Sequence, residues 1–200
     1  MQTAYIEYGL SRLFASAKGR DARLFTKGSA FSQISKPNID LASDTASGSQ
    51  LHVDQSAEGA GQFPSLSWPA ASPDTKEFLL VSEDPDAPLP SPIIHGIYYG
   101  ISATTTAVTN ADFELEDAGD YALKGGFRYG KNRRGNIYIP PRPLLGHGEH
   151  RYFFTLVALS APIDSSKLSD LPTIQEIAQA IEGNVVGWGE WVGVYERKWE

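Results

Sequence analysis

Two histidines and two aspartates stand where strand-like runs meet turns. Asp84-Pro85-Asp86-Ala87-Pro88 leads through a proline-rich turn to His95, which opens the run His95 to Ile101. Gly146-His147-Gly148-Glu149-His150-Arg151-Tyr152 opens the run His150 to Leu159. A carboxylate ending one strand and an imidazole heading each of two others can converge on one polar, anion-tolerant pocket. Asp84 ends its strand and is followed by proline, which removes a competing amide donor, so Asp84 is the better candidate to point inward. Asp86 suits a turn residue that accepts backbone amides. His52 and His147 lack such placement and are read as solvent-exposed. His147-Gly148-Glu149-His150 lacks the i, i+4 spacing of a zinc-protease helix, so no metal is expected there; a site of Asp84, His95 and His150 is only a minor variant.

Other chemistry is thin in the chain. There is no G-x-S-x-G elbow, no phosphate-binding P-loop and no cysteine, which excludes thiol nucleophiles, disulfides and thiolate metal sites. Gly125-Gly126 and Gly146-x-Gly148 could expose backbone amides to an anion. A net charge of −7 argues against nucleic acid as a partner. No stretch approaches a membrane span and no signal-peptide core follows Met1, so a cytoplasmic protein without cofactors is expected.

The elements that would position these groups read as a single domain over 1–200. Ile6, Leu10, Leu13, Phe14 and Ala17 recur at helical spacing in a basic segment, which predicts an amphipathic helix within 1–25 packed by that stripe. Membrane-surface contact is the alternative use of it. Asn38 to Gly61 suggests one or two short strands with long turns, and Phe63 to Pro69 an extended segment kept out of a central ladder by its prolines. Glu77 to Asp84 reads as a buried strand. In His95 to Ile101, alternation puts His95, Ile97 and Tyr99 on one face. Asp112, Glu114, Glu116 and Asp117 suggest a solvated acidic loop, and Gly125 to Gly135 a glycine-punctuated basic one. His150 to Leu159 is the best strand, with His150, Tyr152, Phe154 and Leu156 on one face. Thr173 and Glu176 form a capping box for a helix that Gly183 ends. The aromatic, glycine-rich tail from Val185 to Trp199 can return as a strand. The pattern is mainly β with peripheral helices.

At these residues the chain resembles the phosphatidylethanolamine-binding protein family, in its microbial and fungal flavour. The matching stretches are Phe63 to Trp68, Phe78 to Pro88, the strand opening at His95, and Tyr138 to Leu159 with its P-x-P-x-x-G-x-G-x-H-R-Y pattern. The resemblance implies a large central β-sheet, a second small sheet and a few helices. It also implies a shallow pocket for phosphate-like anions and phospholipid headgroups. Its lining would be Asp84, His95, His150 and Tyr152, with Pro141 and Gly148 at the rim and Asp86 supporting the turn. Pro140 departs from the family's usual glycine.

Three functions stay open at this level. The first is a binder of a phosphate-containing headgroup or small metabolite. The second is a cofactor-independent isomerase, epimerase or cyclase using His95, His150, Asp84 and Tyr152. The third is an inhibitor of a peptidase or kinase acting through an exposed terminal segment and a protein partner.

Overall fold

A computed structural model of the chain describes residues 2–117, 119 and 121–199. In chain order the elements are α1 (Gln2–Leu13), β1 (Ala42–Ser43), β2 (Leu66–Ser67), β3 (Glu77–Asp84), β4 (Ile93–Ser102) and β5 (Ala107–Val108). They continue with β6 (Leu115–Asp117), β7 (Ala122–Leu123), β8 (Arg128–Tyr129), β9 (His150–Leu159), α2 (Ile174–Ala180) and β10 (Val185–Tyr195). A seven-stranded sheet runs β10-β9-β3-β4-β8-β7-β6, and a three-stranded sheet runs β1-β2-β5. The architecture is therefore mainly β, with a large central sheet, a small second sheet and two α-helices among the described residues.

The large sheet is covered on both faces, which is why all of β3 is buried. On one face Phe78, Leu80, Tyr98, Tyr152, Phe154 and Leu156 pack with Leu66 and Val108 of the small sheet. On the other, Leu79, Val81, Ile97, Tyr99, Val157 and Leu159 pack with Phe25, Phe31, Ile177 of α2 and Ile181 at its C-cap. The alternation of side chains along β3 and β9 assigns neighbouring residues to opposite clusters, as strand geometry requires. Leu66-Ser67 forms the middle of the small sheet, so Pro64 and Pro69 bound a two-residue ladder instead of preventing one.

The tail returns as β10, antiparallel to β9 through the whole of that strand. Its outer edge is covered: Asn38 and Ile39 donate to Trp188 O, and Leu51 donates to Val194 O. The glycines allow this close approach. A Cβ on Gly189 would lie 2.3 Å from Ile39 O, and one on Gly193 would lie 2.5 Å from a Leu51 methyl. Covering the edge removes a template for unwanted strand pairing. At α2, Thr173 accepts from Glu176 N and the Glu176 carboxylate takes Thr173 N, completing the capping box, and Gly183 follows at a φ of 76°. The acidic stretch is not simply a loop: Asp112 accepts from Thr109 N to close a short 3-10 turn and Glu116 and Asp117 belong to β6, while Asp117's side chain lies outside the described residues.

The N-terminal helix departs from its expected packing. It ends at Leu13, and its apolar stripe faces outward, with Ile6 64%, Leu10 44% and Leu13 73% exposed. The docked side is instead Tyr8, which stacks on Trp199 at 4.5 Å, and Glu7, which accepts from Arg197 and from Leu145 N. An aromatic stack and a carboxylate with several donors outweigh the apolar stripe here, because the segment after β10 offers Trp199 and Arg197 rather than a greasy groove. Among the described residues no helix is long and apolar enough to cross a membrane.

Candidate functional site

The last residue of β3 anchors the site. Asp84 Oδ1 accepts from Asp86 N at 2.7 Å and Ala87 N at 3.1 Å, while Oδ2 lies 2.8 Å from His150 Nδ1. Asp84 thus does both jobs that the sequence divided between two aspartates: it closes the proline-rich turn and orients an imidazole. Asp86 does not cap that turn. It accepts from Gly19 N, Arg151 N and the Arg151 guanidinium at 2.8–3.1 Å, and Arg151 also grips Asp21. Burial pushes Asp86 up, but the bonds to Arg151 outweigh it and hold the carboxyl below its ordinary range. Asp86 is a strut that ties β9 to the segment after α1.

His95 reaches the site through a β-bulge. Ser82 pairs with Gly96 and Glu83 with Ile94, which leaves His95 as the extra residue on β4. The bulge therefore breaks the expected shared face of His95, Ile97 and Tyr99. Ile97 and Tyr99 stay in the second cluster, whereas the His95 ring stands perpendicular to Tyr152 of the first, with centroids 5.2 Å apart. Re-aiming one side chain is what such a bulge does. A clamp fixes the ring: His95 Nδ1 bonds Ile139 O, Ile139 N donates to His95 O, and Asn132 Nδ2 donates to His95 O at 3.0 Å. With Nδ1 donating to a carbonyl, Nε2 carries a lone pair. It is buried and has no protein partner. Burial above all lowers this imidazole's proton affinity, partly offset by Asp84, which favours the neutral ring.

His147 is not solvent-exposed. It is 4% exposed and its Nδ1 lies 2.7 Å from His150 Nε2. Its Nε2 lies 2.9 Å from Phe14 O, so the turn after α1 closes over it. The positive φ of Gly146 (72°) and Gly148 (83°) gives the loop the curvature that folds His147 back onto the head of β9. The i, i+3 spacing to His150 was visible in the sequence, but only this curl makes the rings neighbours. His52 is exposed, as expected, and caps a short 3-10 turn.

A cleft of about 470 Å³ opens beside these residues, with Asp86 and His147 outside its lining. Asp84, His95, His150 and Tyr152 line it together, so all four of the residues grouped in the sequence converge. Leu89, Ile93, Ile139 and Pro140 supply apolar wall, and Pro140 is backed by Gly61, where a Cβ would come within 2.8 Å of the ring. Pro141 and Gly148 are not among the lining residues. Pro141 is buried with its carbonyl accepting from Ala57 N, and Gly148 sits beside the Lys18 ammonium that donates to Glu149 O. The sequence reading missed the mouth: Arg133, Arg134 and Arg142 all border the cleft. Lys131 to Arg134 was legible as a basic loop, yet nothing in it says where it lands; buried Asn132, bonded to His95 O, brings it there. The three arginines stand at one cleft on a chain of net charge −7, and Arg142 also pairs with Glu7 at 3.4 Å. Among the described residues no group of three or more His, Asp or Glu side chains is arranged to hold a metal ion.

Comparison with known proteins identifies the fold. The chain is 48% identical over 199 residues to phomoidride biosynthesis cluster protein B of a fungal species, covering 98% of this chain and 96% of that one. The protein of the same name from Talaromyces stipitatus is 44% identical, covering 97% and 82%. Among solved structures, a phosphatidylethanolamine-binding protein homologue from Chlamydia trachomatis superposes with a TM-score of 0.63 at 27% identity, covering 81% of this chain and 99% of that one. YbcL of Escherichia coli gives 0.66 at 26% identity, covering 79% and 98%. The model of the phosphatidylethanolamine-binding protein family matches residues 42–196, which contain both sheets, the bulge and the clefted loops, and the chain belongs to that family.

Proposed function

We propose that this protein binds an anionic small molecule in the cleft at the ends of β3, β4 and β9, in the service of a biosynthetic process. The observation that carries this is the combination of three arginines at the mouth with an unpartnered, buried His95 Nε2 within. Guanidinium groups recognise carboxylate or phosphate oxygens. The lone pair on His95 asks for a donor, because a buried acceptor left unpaired is costly. The guest therefore presents an anionic oxygen to the mouth and a hydroxyl, acid proton or acidic C–H to the floor. A phosphate monoester headgroup meets this description, and so does a hydroxylated or enolisable carboxylic acid. The biosynthetic setting rests on the name carried by the fungal relatives.

Titration with inorganic phosphate, phosphoethanolamine and small dicarboxylates, followed through the His95 and His150 imidazole signals, tests the reading. Perturbation at millimolar ligand that is weakened in Arg133→Ala/Arg134→Ala supports it. No perturbation by any of these anions removes it.

A second reading, acid–base catalysis of an isomerisation, epimerisation or cyclisation, is favoured by the same His95 Nε2. It is a neutral base inside a largely apolar wall, next to the Tyr152 phenol, whose ionisation burial strongly disfavours. Any anion that binds is incubated in D2O with the protein. Loss of a carbon-bound proton signal with wild type, but not with His95→Gln, supports catalysis; no exchange rules out proton abstraction by His95.

A further inference from the structure

Three short contacts run in line beneath the cleft. Asp84 Oδ2 lies 2.8 Å from His150 Nδ1, His150 Nε2 lies 2.7 Å from His147 Nδ1, and His147 Nε2 lies 2.9 Å from Phe14 O. The line begins on a carboxylate and ends on a carbonyl, and a carbonyl oxygen only accepts. Three hydrogen bonds need three protons, and two neutral imidazoles bring two. Every arrangement of two neutral rings with an ionised Asp84 leaves one contact as two lone pairs facing each other below 3 Å. The line therefore holds one proton more than its neutral count.

The surroundings say where the charge sits. His147 must donate from Nε2 to reach Phe14 O, and burial disfavours its charged form, with the Lys18 ammonium acting the same way. His147 is then neutral and offers its Nδ1 lone pair to His150. Asp84 is bonded on both oxygens, two backbone amides on Oδ1 and His150 on Oδ2, the pattern of an acceptor-only carboxylate. The groups facing the rings are Asp84 from β3, His95 from β4, and Lys18 from the segment after α1, with Arg134 acting on His95 from the mouth.

We propose that His150 is an imidazolium in the resting protein, paired with the Asp84 carboxylate, and that His147 is the positioning residue that keeps it so by accepting its second N–H. This rests on the anion-binding reading and deepens it. A lone buried carboxylate in the floor would repel the guest; cancelled by His150, it leaves the arginines to set the field. Both N–H groups of His150 are spent inside the protein, so of His95, His147 and His150 it is His95 that is free to meet the ligand. The positive charge on His150 also helps to keep His95 neutral, and so preserves its lone pair.

The test uses the full chain without ligand. Imidazole 15N spectra at pH 7 are expected to show two protonated nitrogens on His150, one on His147 at Nε2, and an ionised Asp84 carboxyl by 13C shift. A singly protonated His150, or a protonated Asp84 with two neutral rings, overturns the proposal. In His147→Leu the second N–H of His150 loses its acceptor, so the doubly protonated His150 signal at pH 7 should give way to a singly protonated one, and inorganic phosphate binding at pH 7 should weaken with it. His147→Gln, whose carbonyl can accept from His150, should restore both. If His150 stays doubly protonated and phosphate binding is unchanged in His147→Leu, His147 only fills space and the positioning role is refuted. A doubly protonated His150 in a protein that takes up no phosphate would overturn the anion reading alone.

Discussion

Glu83 offers a titration whose size follows from its burial. It is the neighbour of Asp84 on β3 but faces the opposite side of the sheet, 2% exposed, with Oε1 accepting from Phe25 N at 2.8 Å. Burial pushes its carboxyl from the ordinary 4.5 up to about 8, against the pull of the Phe25 amide and with a further push from Glu190. The folded value lies above the unfolded one, so the native chain holds a proton that the unfolded chain releases. That stabilisation is complete below pH 4.5 and is lost as pH rises through 8. At about 1.36 kcal/mol per pH unit, the loss between pH 5 and pH 8 reaches ~3.5 kcal/mol, a ceiling that local relaxation lowers. Glu83→Gln keeps a carbonyl for the Phe25 amide and removes the titration. Urea unfolding followed by tryptophan fluorescence should give nearly equal stabilities for the two proteins at pH 5. At pH 8 the variant should be more stable by ~2–3.5 kcal/mol. Parallel stability curves across this range would refute the reasoning and show that Glu83 is ionised in the fold.

Arg151→Ala strips Asp86 of its guanidinium while the carboxylate stays 4% exposed, so stability should fall by ~2–3 kcal/mol in denaturant titrations. Asp86 is held below its ordinary range, so its stabilisation is present above pH 4 and lost as pH falls; the variant should show a flatter acid limb. Gly96→Ala would place a Cβ 2.3 Å from the hydroxyl of Tyr98, which donates to Ile137 O. Overpacking there should cost ~2 kcal/mol, and an unchanged melting temperature would contradict it. Glu7→Ala removes the acceptor that Arg197 and Leu145 N share, so trypsin should cut after Arg12 and Lys18 several-fold faster at unchanged global stability.

Much of the frame was legible because its signals are local. β3 and β9 begin and end where their apolar runs do, and α2 starts at the Thr173/Glu176 capping box. The four cleft residues were grouped from strand ends marked by Pro or Gly and from the family resemblance; Asp84 ends β3 and His150 opens β9, while His95 and Tyr152 are the third residues of β4 and β9. The helix face was not: the stripe of Ile6, Leu10 and Leu13 reads as a buried side, and only the position of Trp199 and Arg197 shows that the other side docks. The orientation of His95 was equally hidden, because a single unpaired residue on β4 reverses the alternation that periodicity assumes.

By itself the sequence determined a mainly β chain, its family, and the residues Asp84, His95, His150 and Tyr152 as a group. Tertiary structure decided their roles. It gave Asp84 both the turn and the imidazole, turned Asp86 into a strut for Arg151, buried His147 against His150 and brought three arginines to the mouth. The reason is physical: residue type and spacing fix which groups can bond, but a proton's position depends on which lone pairs meet, and that is set by contacts between segments as distant as Phe14 and His147.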